Sequence, residues 1–183
     1  WERVVELARK VGKDLKPEKL AYFSAVILLK QGEFDRGLAE LEKLNDRDPH
    51  NAKTLTTLGL LLCVHRKDRL GSFFLHEAAR LEPADPNVFE ALAMASVGKE
   101  DLIQAQREAE EARRLDPASH DPARILAALR ALRGDWPEAI RWYERSIAIV
   151  PDCADCHVAL ADVCRQGGQA ERGRELLARA ATL

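Results

Sequence analysis

The stretch PDCADCH, residues 151–157, holds the densest group of potentially reactive side chains in the sequence. Cys153 and Cys156 are three positions apart and His157 follows directly, which is the spacing of a c-type haem attachment site. In that case the thiols would bind the porphyrin and His157 would be an axial ligand of the iron. The same three residues could instead bind zinc or carry a redox-active disulfide. The elements around this stretch decide between these alternatives.

Those elements repeat with a period of 34 residues. Proline recurs at this interval, at Pro49, Pro83, Pro117 and Pro151. A leucine followed by a small residue recurs in the same register, as Leu58-Gly59, Leu92-Ala93, Leu126-Ala127 and Leu160-Ala161. Each period contains two helical patterns of apolar residues and no β-like alternation. The sequence therefore predicts an all-α protein built from repeated helix pairs.

Residues 120–151 show one repeat most clearly. Asp121 is a good N-cap for the first helix, and Pro122 fits its first helical position. Gly134 fits the left-handed backbone at the end of that helix. Asp135 and Glu138 form a candidate capping box for the second helix. The repeat thus reads as two short helices joined by a tight turn.

These features resemble the tetratricopeptide repeat (TPR) family. The family's second-helix signature, a small residue with a bulky one four positions later, is matched by Gly71 with Leu75, Ala139 with Tyr143, and Gly173 with Leu177. The resemblance implies a right-handed superhelical solenoid of antiparallel helix pairs. We expect one solenoid over residues 1–183, with an N-terminal helix at 1–13 and repeats at 18–51, 52–85, 86–119, 120–153 and 154–183.

The repeat frame makes haem attachment to the PDCADCH stretch unfavourable. His157 falls in the register of Phe89 and Ala123, where the family usually has a packing aromatic side chain. A low-spin haem normally needs a second axial ligand. Met94 lies two repeats away, and His120 lies one repeat away, which we expect to be too far for a bond to iron.

Zinc and redox chemistry have weaker support in the same frame. Cys164 is seven residues beyond His157, or roughly 10 Å along a helix, so it cannot complete a tetrahedral zinc site with Cys153, Cys156 and His157. Asp152 and Asp155 oppose the lowering of a thiol pKa at a helix N-terminus. We therefore expect no metal and no cofactor, and we retain a redox, haem-handling or metal-binding role of Cys153, Cys156 and His157 as the alternative function.

Composition and motifs exclude several other classes of function. The net charge of −2 and the sequence pI near 6.3 provide no basic surface for nucleic acid or anionic membranes. The longest apolar runs, such as residues 58–64, are too short to span a bilayer, so we expect no direct membrane insertion. No nucleophile elbow, phosphate-binding loop, dinucleotide fingerprint or zinc-protease motif is present in the sequence. We therefore expect that the chain is not an enzyme.

The TPR resemblance implies that the first helices of the repeats line a groove that binds another protein. We expect the chain to be a scaffold or adaptor that binds a peptide or an amphipathic helix there, within a larger, for example bacterial, multiprotein assembly. The residues that the resemblance places on the groove are Tyr22, Val26, Leu29, Thr56, Leu60, Cys63, Val64, Glu90, Met94, Val97, Arg124 and Ala128. Some of the apolar ones could instead pack between helices.

A second contact is predicted at the last helix. Leu176, Leu177, Ala180 and Leu183 form an apolar stripe with no following helix to cover it. Terminal repeats of solenoids usually carry a polar outer face. Either the array continues in a longer polypeptide, or the chain associates with itself through this stripe.

Overall fold

The computed structural model describes residues 16–66 and 69–183, and these residues form helices and turns without any strand. The predicted helix at residues 1–13 lies outside the described residues. The helices are α1 (Pro17–Lys30), α2 (Phe34–Arg47), α3 (Ala52–Leu61), α4 (Arg69–Leu81), α5 (Pro86–Gly98), α6 (Leu102–Leu115), α7 (Asp121–Leu132), α8 (Trp136–Ile149), α9 (Ala154–Gln166) and α10 (Ala170–Ala180). None of the described helices is long and apolar enough to cross a membrane. The all-α prediction is confirmed.

The chain divides into two compact units, one that ends at Pro83 and one that spans Ala84–Leu183. In the first unit, α1 packs against α2, α2 against α3, and α3 against α4. In the second unit the helix pairs are α5–α6, α7–α8 and α9–α10, with α6 packed on α7 and α8 on α9. Turns of three residues join the helices of the pairs α1–α2, α5–α6, α7–α8 and α9–α10, and such short connections make the helices antiparallel neighbours.

Small residues form the closest contact within each helix pair. They lie 12 positions apart in every pair: Ala25 with Gly37, Gly59 with Gly71, Ala93 with Ala105, Ala127 with Ala139, and Ala161 with Gly173. All ten positions are buried. A β-carbon at Gly173 would be 2.9 Å from the carbonyl oxygen of Ala161, and one at Gly37 would be 3.2 Å from that of Ala25. The helices therefore approach so closely that larger side chains would separate them.

In the pairs α1–α2, α5–α6, α7–α8 and α9–α10, the turn between the helices contains a residue with left-handed backbone. Gly32, Gly134 and Gly168 have φ of 80°, 75° and 82°. Glu100, which is 34 positions before Gly134, has φ of 62° without being glycine. The predicted glycine turn at Gly134 is thus observed, and the same backbone shape ends the first helix of the pair α5–α6.

Two predicted caps differ from the observed ones. Asp121 is the first residue of α7 and not its N-cap; His120 precedes the helix, and its side chain makes no capping hydrogen bond. The Asp121 carboxylate instead accepts hydrogen bonds from Arg124, at 2.9 and 3.1 Å. The capping box of α8 is half formed: Asp135 accepts from the Glu138 N–H at 3.4 Å, while the Glu138 carboxylate pairs with Arg141.

The end of the third helix is π-helical, which the 3.6-residue periodicity did not predict. Residues Leu62–Arg66 form this wider turn directly after α3. The His65 ring packs on Phe34 with 3.9 Å between centroids, and Arg66 donates a 2.7 Å hydrogen bond to Asp35. These contacts hold the turn against the start of α2. A π-turn inserts one extra residue, so the side chains after it point in a different direction from those of an uninterrupted α-helix.

Candidate protein-binding face and cysteine cluster

The twelve side chains predicted to line a groove all reach the surface. Val64 is exposed and the other eleven are half-buried, so none belongs fully to the core. We call these twelve residues the first-helix face. Its part in the first unit comprises Tyr22, Val26, Leu29, Thr56, Leu60, Cys63 and Val64, and its part in the second unit comprises Glu90, Met94, Val97, Arg124 and Ala128.

An aromatic recess lies between α1 and the start of α3. The Tyr22 hydroxyl is 2.7 Å from the Thr57 hydroxyl, and this hydrogen bond ties the two first helices together. The Phe23 ring meets Tyr22 edge to face, and the Lys53 ammonium lies over both rings, 4.9 and 5.7 Å from their centroids. The recess has a volume of about 530 Å³ and is open to solvent. It suits an apolar side chain of a partner, next to a cation that can interact with a polar group.

Two members of the first-helix face in the first unit have structural contacts of their own. Leu29 lies over Gly37, where an added β-carbon would be 2.5 Å from the Leu29 Cδ2 atom. Leu29 therefore fills the space left by the glycine and packs against the core of this unit. The Cys63 Sγ atom contacts the Ser72 hydroxyl at 3.7 Å. Cys63 and Val64 belong to the π-turn, which changes their direction relative to Leu60.

The part of the first-helix face in the second unit has a polar side. Glu90 accepts a 2.9 Å hydrogen bond from the Ser119 hydroxyl. Burial raises the pKa of the Glu90 carboxyl; the Ser119 hydrogen bond lowers this pKa, Asp121 and Asp116 raise it, and Arg124 lowers it. Arg124 is held by its ion pair with Asp121. This region therefore presents a fixed guanidinium beside a carboxyl that is partly withdrawn from water.

The same unit also offers an apolar pocket. Ala128 lines it with Leu132 from α7 and with Ala159 and Val163 from α9, and its volume is about 380 Å³. Leu132 is 62% exposed and therefore does not pack fully between helices. By contrast, Met94 and Val97 pack partly against the core of this unit.

The cysteines of the PDCADCH stretch form a disulfide bond at the start of α9. Cys153 is the N-cap of this helix, and its sulfur accepts a hydrogen bond from the Cys156 N–H at 3.2 Å. Cys156 is completely buried. The position of Cys153 corresponds, in steps of 34 residues, to Asn51 and Asp85, which cap α3 and α5 in the same way. A sulfur thus occupies a position where earlier repeats have an oxygen acceptor.

His157 points into the core. It is 1% exposed, and its Nε2 donates a 2.9 Å hydrogen bond to the Pro151 carbonyl. Its Nδ1 is buried and makes no hydrogen bond. The predicted packing position of His157 is therefore observed.

His120 lies beside the cysteines, contrary to the expectation that one repeat separates them too widely. Its Nδ1 is 3.9 Å from the Cys156 Sγ atom and 3.2 Å from the Ser146 hydroxyl. Candidate ligand atoms of His120, Cys153 and Cys156 all lie within 4.8 Å of one another. The reason is that α7 and α9 begin at the same end of the second unit, so the residues that precede them meet there.

Known structures show which fold this is. The chain is similar to TTC0263, a thermophilic TPR protein of Thermus thermophilus, with a TM-score of 0.83 and 20% identity over 89% of each chain. The fold is that of the tetratricopeptide repeat. PilF of Pseudomonas aeruginosa matches with a TM-score of 0.74 and 14% identity over 90% of this chain and 75% of its own. MamA of Desulfovibrio magneticus RS-1 matches with a TM-score of 0.65 and 13% identity over 91% and 94%. No family model and no curated protein sequence matches the chain.

The TPR register explains why His120 lies close to Cys153 and Cys156. A separation of one repeat from Cys153 predicts that His120 is distant. In a TPR array, however, residues just before successive first helices are neighbours across the repeat boundary. The 33-residue spacing of His120 and Cys153, almost one period, was the signal that could have placed them together. No comparable signal marks Ser146, which joins the cluster from a second helix.

The apolar stripe of the last TPR helix is partly used inside the unit. Leu176 packs against the core of the second unit, whereas Leu177 and Leu183 are 49% and 54% exposed. The exposed part of the stripe is therefore smaller than the sequence suggested.

Proposed function

We propose that this chain is a protein-interaction scaffold that binds an apolar segment of another polypeptide on its first-helix face. The proposal is supported mainly by one observation: every side chain of that face remains accessible, although the helices around it are tightly packed. The partner we infer is an amphipathic helix or an extended peptide with an apolar stripe, as part of a larger multiprotein assembly.

Each unit offers a place for an apolar anchor. In the first unit the anchor fits the aromatic recess beside Tyr22, where Lys53 can interact with a polar group of the partner. In the second unit it fits the pocket beside Ala128 and Leu132. Met94 adds a flexible, polarisable side chain that adapts to different partner shapes. A few buried anchors usually supply most of the binding energy of such an interface.

Replacing a groove residue by glutamate tests the proposal. Val26→Glu and Ala128→Glu each place a charge where an apolar partner would have to bury it. We expect either change to weaken partner binding by at least about tenfold, or about 1.4 kcal/mol. The matched control is Ile103→Glu, the same kind of change on the second helix α6, at a side chain that is 66% exposed.

The partner is first identified by affinity capture and mass spectrometry, using the wild type and the Ile103→Glu control as bait. The recombinant partner is then titrated against all variants by calorimetry, with circular dichroism to verify that each variant is folded. Equal affinity of the wild type, Val26→Glu and Ala128→Glu would show that the first-helix face is not the binding site.

A further inference from the structure

The strongest chemical feature outside the first-helix face is the group formed by His120, Cys153 and Cys156. These residues offer two sulfurs and one imidazole nitrogen within 4.8 Å of one another. Thiolates and imidazoles are the ligands that zinc prefers in proteins, and two cysteines separated by two residues have a spacing typical of zinc sites. His157, which the sequence motif suggested as the third ligand, is not part of this group.

The imidazole of His120 is already placed as a ligand would be. With Zn–S bonds of about 2.3 Å and Zn–N bonds of about 2.0 Å, tetrahedral geometry puts sulfur and nitrogen about 3.6 Å apart. The observed distance from His120 Nδ1 to Cys156 Sγ is 3.9 Å. Only a small movement would therefore bring the nitrogen and this sulfur to the same ion.

The surroundings of His120 also match those of a metal ligand. Its other nitrogen, Nε2, lies 3.9 Å from the Asp121 carboxylate, the kind of group that commonly lies behind a metal-binding histidine. The Ser146 hydroxyl contacts His120 Nδ1 but also lies 3.2 Å from the His120 carbonyl oxygen. The hydroxyl can thus keep the carbonyl as its acceptor when Nδ1 turns to a metal.

The sulfur of Cys153 lies at the N-terminal end of α9. Cys153 is the N-cap, so its sulfur faces the free N–H groups of the first turn and accepts from the Cys156 N–H. The sulfur is therefore at the positive end of the helix dipole. Asp152 and Asp155, both exposed, add negative charge nearby that favours a bound cation over free thiolates.

We propose that Cys153, Cys156 and His120 form a zinc site. The site binds zinc when the two cysteines are reduced and cannot bind it when they form a disulfide. A dithiol reductant transfers two electrons and two protons to the disulfide, which gives two thiols and leaves the reductant as its own disulfide. Zinc binding then releases the two thiol protons. The two sulfurs separate to about 3.8 Å around the ion. Cys153 and His120 are half-buried, so water can reach the site and complete the coordination of the ion.

The test compares the full chain in its two redox states. One sample is reduced with a dithiol and desalted without oxygen, and the other is left oxidised. Each is titrated with Zn²⁺ against a chromophoric chelator, and with Co²⁺, whose visible spectrum reports thiolate ligands. We expect one Zn²⁺ per chain in the reduced protein, sulfur-to-cobalt charge-transfer bands, and no binding at this site in the oxidised protein.

Variants identify the ligands. We expect His120→Ala and Cys153→Ser each to weaken Zn²⁺ binding by more than about tenfold. The controls are His50→Ala and Cys63→Ser, which change the same residue types outside the cluster and should leave affinity unchanged. His157→Asn keeps a hydrogen-bond donor for Pro151 and should also retain binding if the variant is folded by circular dichroism.

Three results would overturn the proposal. They are no zinc uptake by the reduced wild type when both thiols are shown to be free, equal uptake by the oxidised protein, and full affinity in His120→Ala. None of these results depends on the first-helix face. A negative result for zinc binding would therefore not affect the scaffold proposal, which is tested by the partner-binding experiment.

Discussion

Gly59 and Gly71 touch through their backbones where α3 crosses α4. A β-carbon on Gly71 would be 2.5 Å from the carbonyl oxygen of Gly59 and 2.6 Å from the Cys63 sulfur, and one on Gly59 would be 2.7 Å from the carbonyl oxygen of Gly71. Real β-carbons do not approach backbone oxygens so closely, and a backbone cannot move aside as a side-chain end can. This pair of glycines therefore sets the distance between the two helices.

We expect Gly71→Ala to lower the free energy of unfolding by about 1–3 kcal/mol, because the extra methyl group must push the helices apart. Gly98→Ala is the matched control: no atom lies within 4 Å of its added β-carbon, and it lies at the end of α5. Alanine has the higher helix propensity, so this control should be neutral or more stable by up to about 1 kcal/mol. Thermal melts by circular dichroism measure both. Equal melting temperatures for the two variants would contradict the close contact.

Glu90 should make the protein less stable at neutral pH than at acidic pH. Burial raises its pKa in the folded chain above the unfolded value, so the folded state binds the proton more tightly. The stabilisation of the folded state by this bound proton is fully present at pH values below the ordinary pKa of a carboxyl group. It is lost as the pH rises through the raised pKa. Glu90→Gln should therefore raise the melting temperature at pH 7, and the difference should shrink in acid.

Glu111 serves as the control for this pH dependence. Its hydrogen bond from Arg114 lowers its pKa, against a smaller effect of burial, so its contribution has the opposite sign. Glu111→Gln should slightly lower stability at pH 7, and the effect should be small because ion pairs near the surface contribute little. A pH dependence of the same sign for both variants would argue against burial as the cause at Glu90.

The four cysteines should differ in their reaction with a thiol reagent. Cys63 is half-buried, whereas Cys164 is completely buried and burial raises the pKa of its thiol. We expect one fast-reacting thiol in the native oxidised protein. Denaturation without a reductant should reveal two thiols, and denaturation with a reductant should reveal all four. Four thiols without a reductant would show that Cys153 and Cys156 are not joined.

Self-association through the last helix stays a prediction, and Leu177 provides its test. If second copies cover the exposed part of this stripe, the mass measured by light scattering should rise with protein concentration. Leu177→Glu should then abolish the rise, because it would bury a charge in the contact. Glu175→Gln, an exposed change on the same helix, is the control. If the wild type keeps the mass of a monomer at all concentrations, the chain does not associate with itself through this stripe.

The sequence predicted the elements of the fold well because their signals are local and repeated. Ala127 and Ala139 are small because the two helices of one pair pack closely there. Gly134 provides the left-handed backbone that ends a helix. The start of α7 was displaced by one residue, since both His120 and Asp121 are polar and either could precede the helix. The π-turn after α3 depends on contacts with the start of α2, which no periodicity within α3 reveals.

The candidate sites were harder to predict because they depend on distances between helices. The family register predicted that Tyr22 and Ala128 reach the surface. It did not predict that the Leu29 side chain fills the space above Gly37. The CxxCH motif indicated His157 as a candidate metal ligand because this residue directly follows Cys156 in the sequence. The packing of α7, α8 and α9 buries the His157 ring and brings His120 close to the cysteines. A short sequence motif does not contain information about this packing.

The position of the zinc-type cluster across a repeat boundary bears on how it could have arisen. His120 and Cys153 fall in the predicted repeat 120–153, whereas Cys156 falls in the repeat 154–183. One period earlier, the positions of His120, Cys153 and Cys156 hold Pro86, Ser119 and Pro122. Duplicating a single 34-residue unit would therefore never copy the complete trio. Such a site would have to evolve by substitution in an array that already had its length, and gaining or losing one repeat at this boundary would erase it.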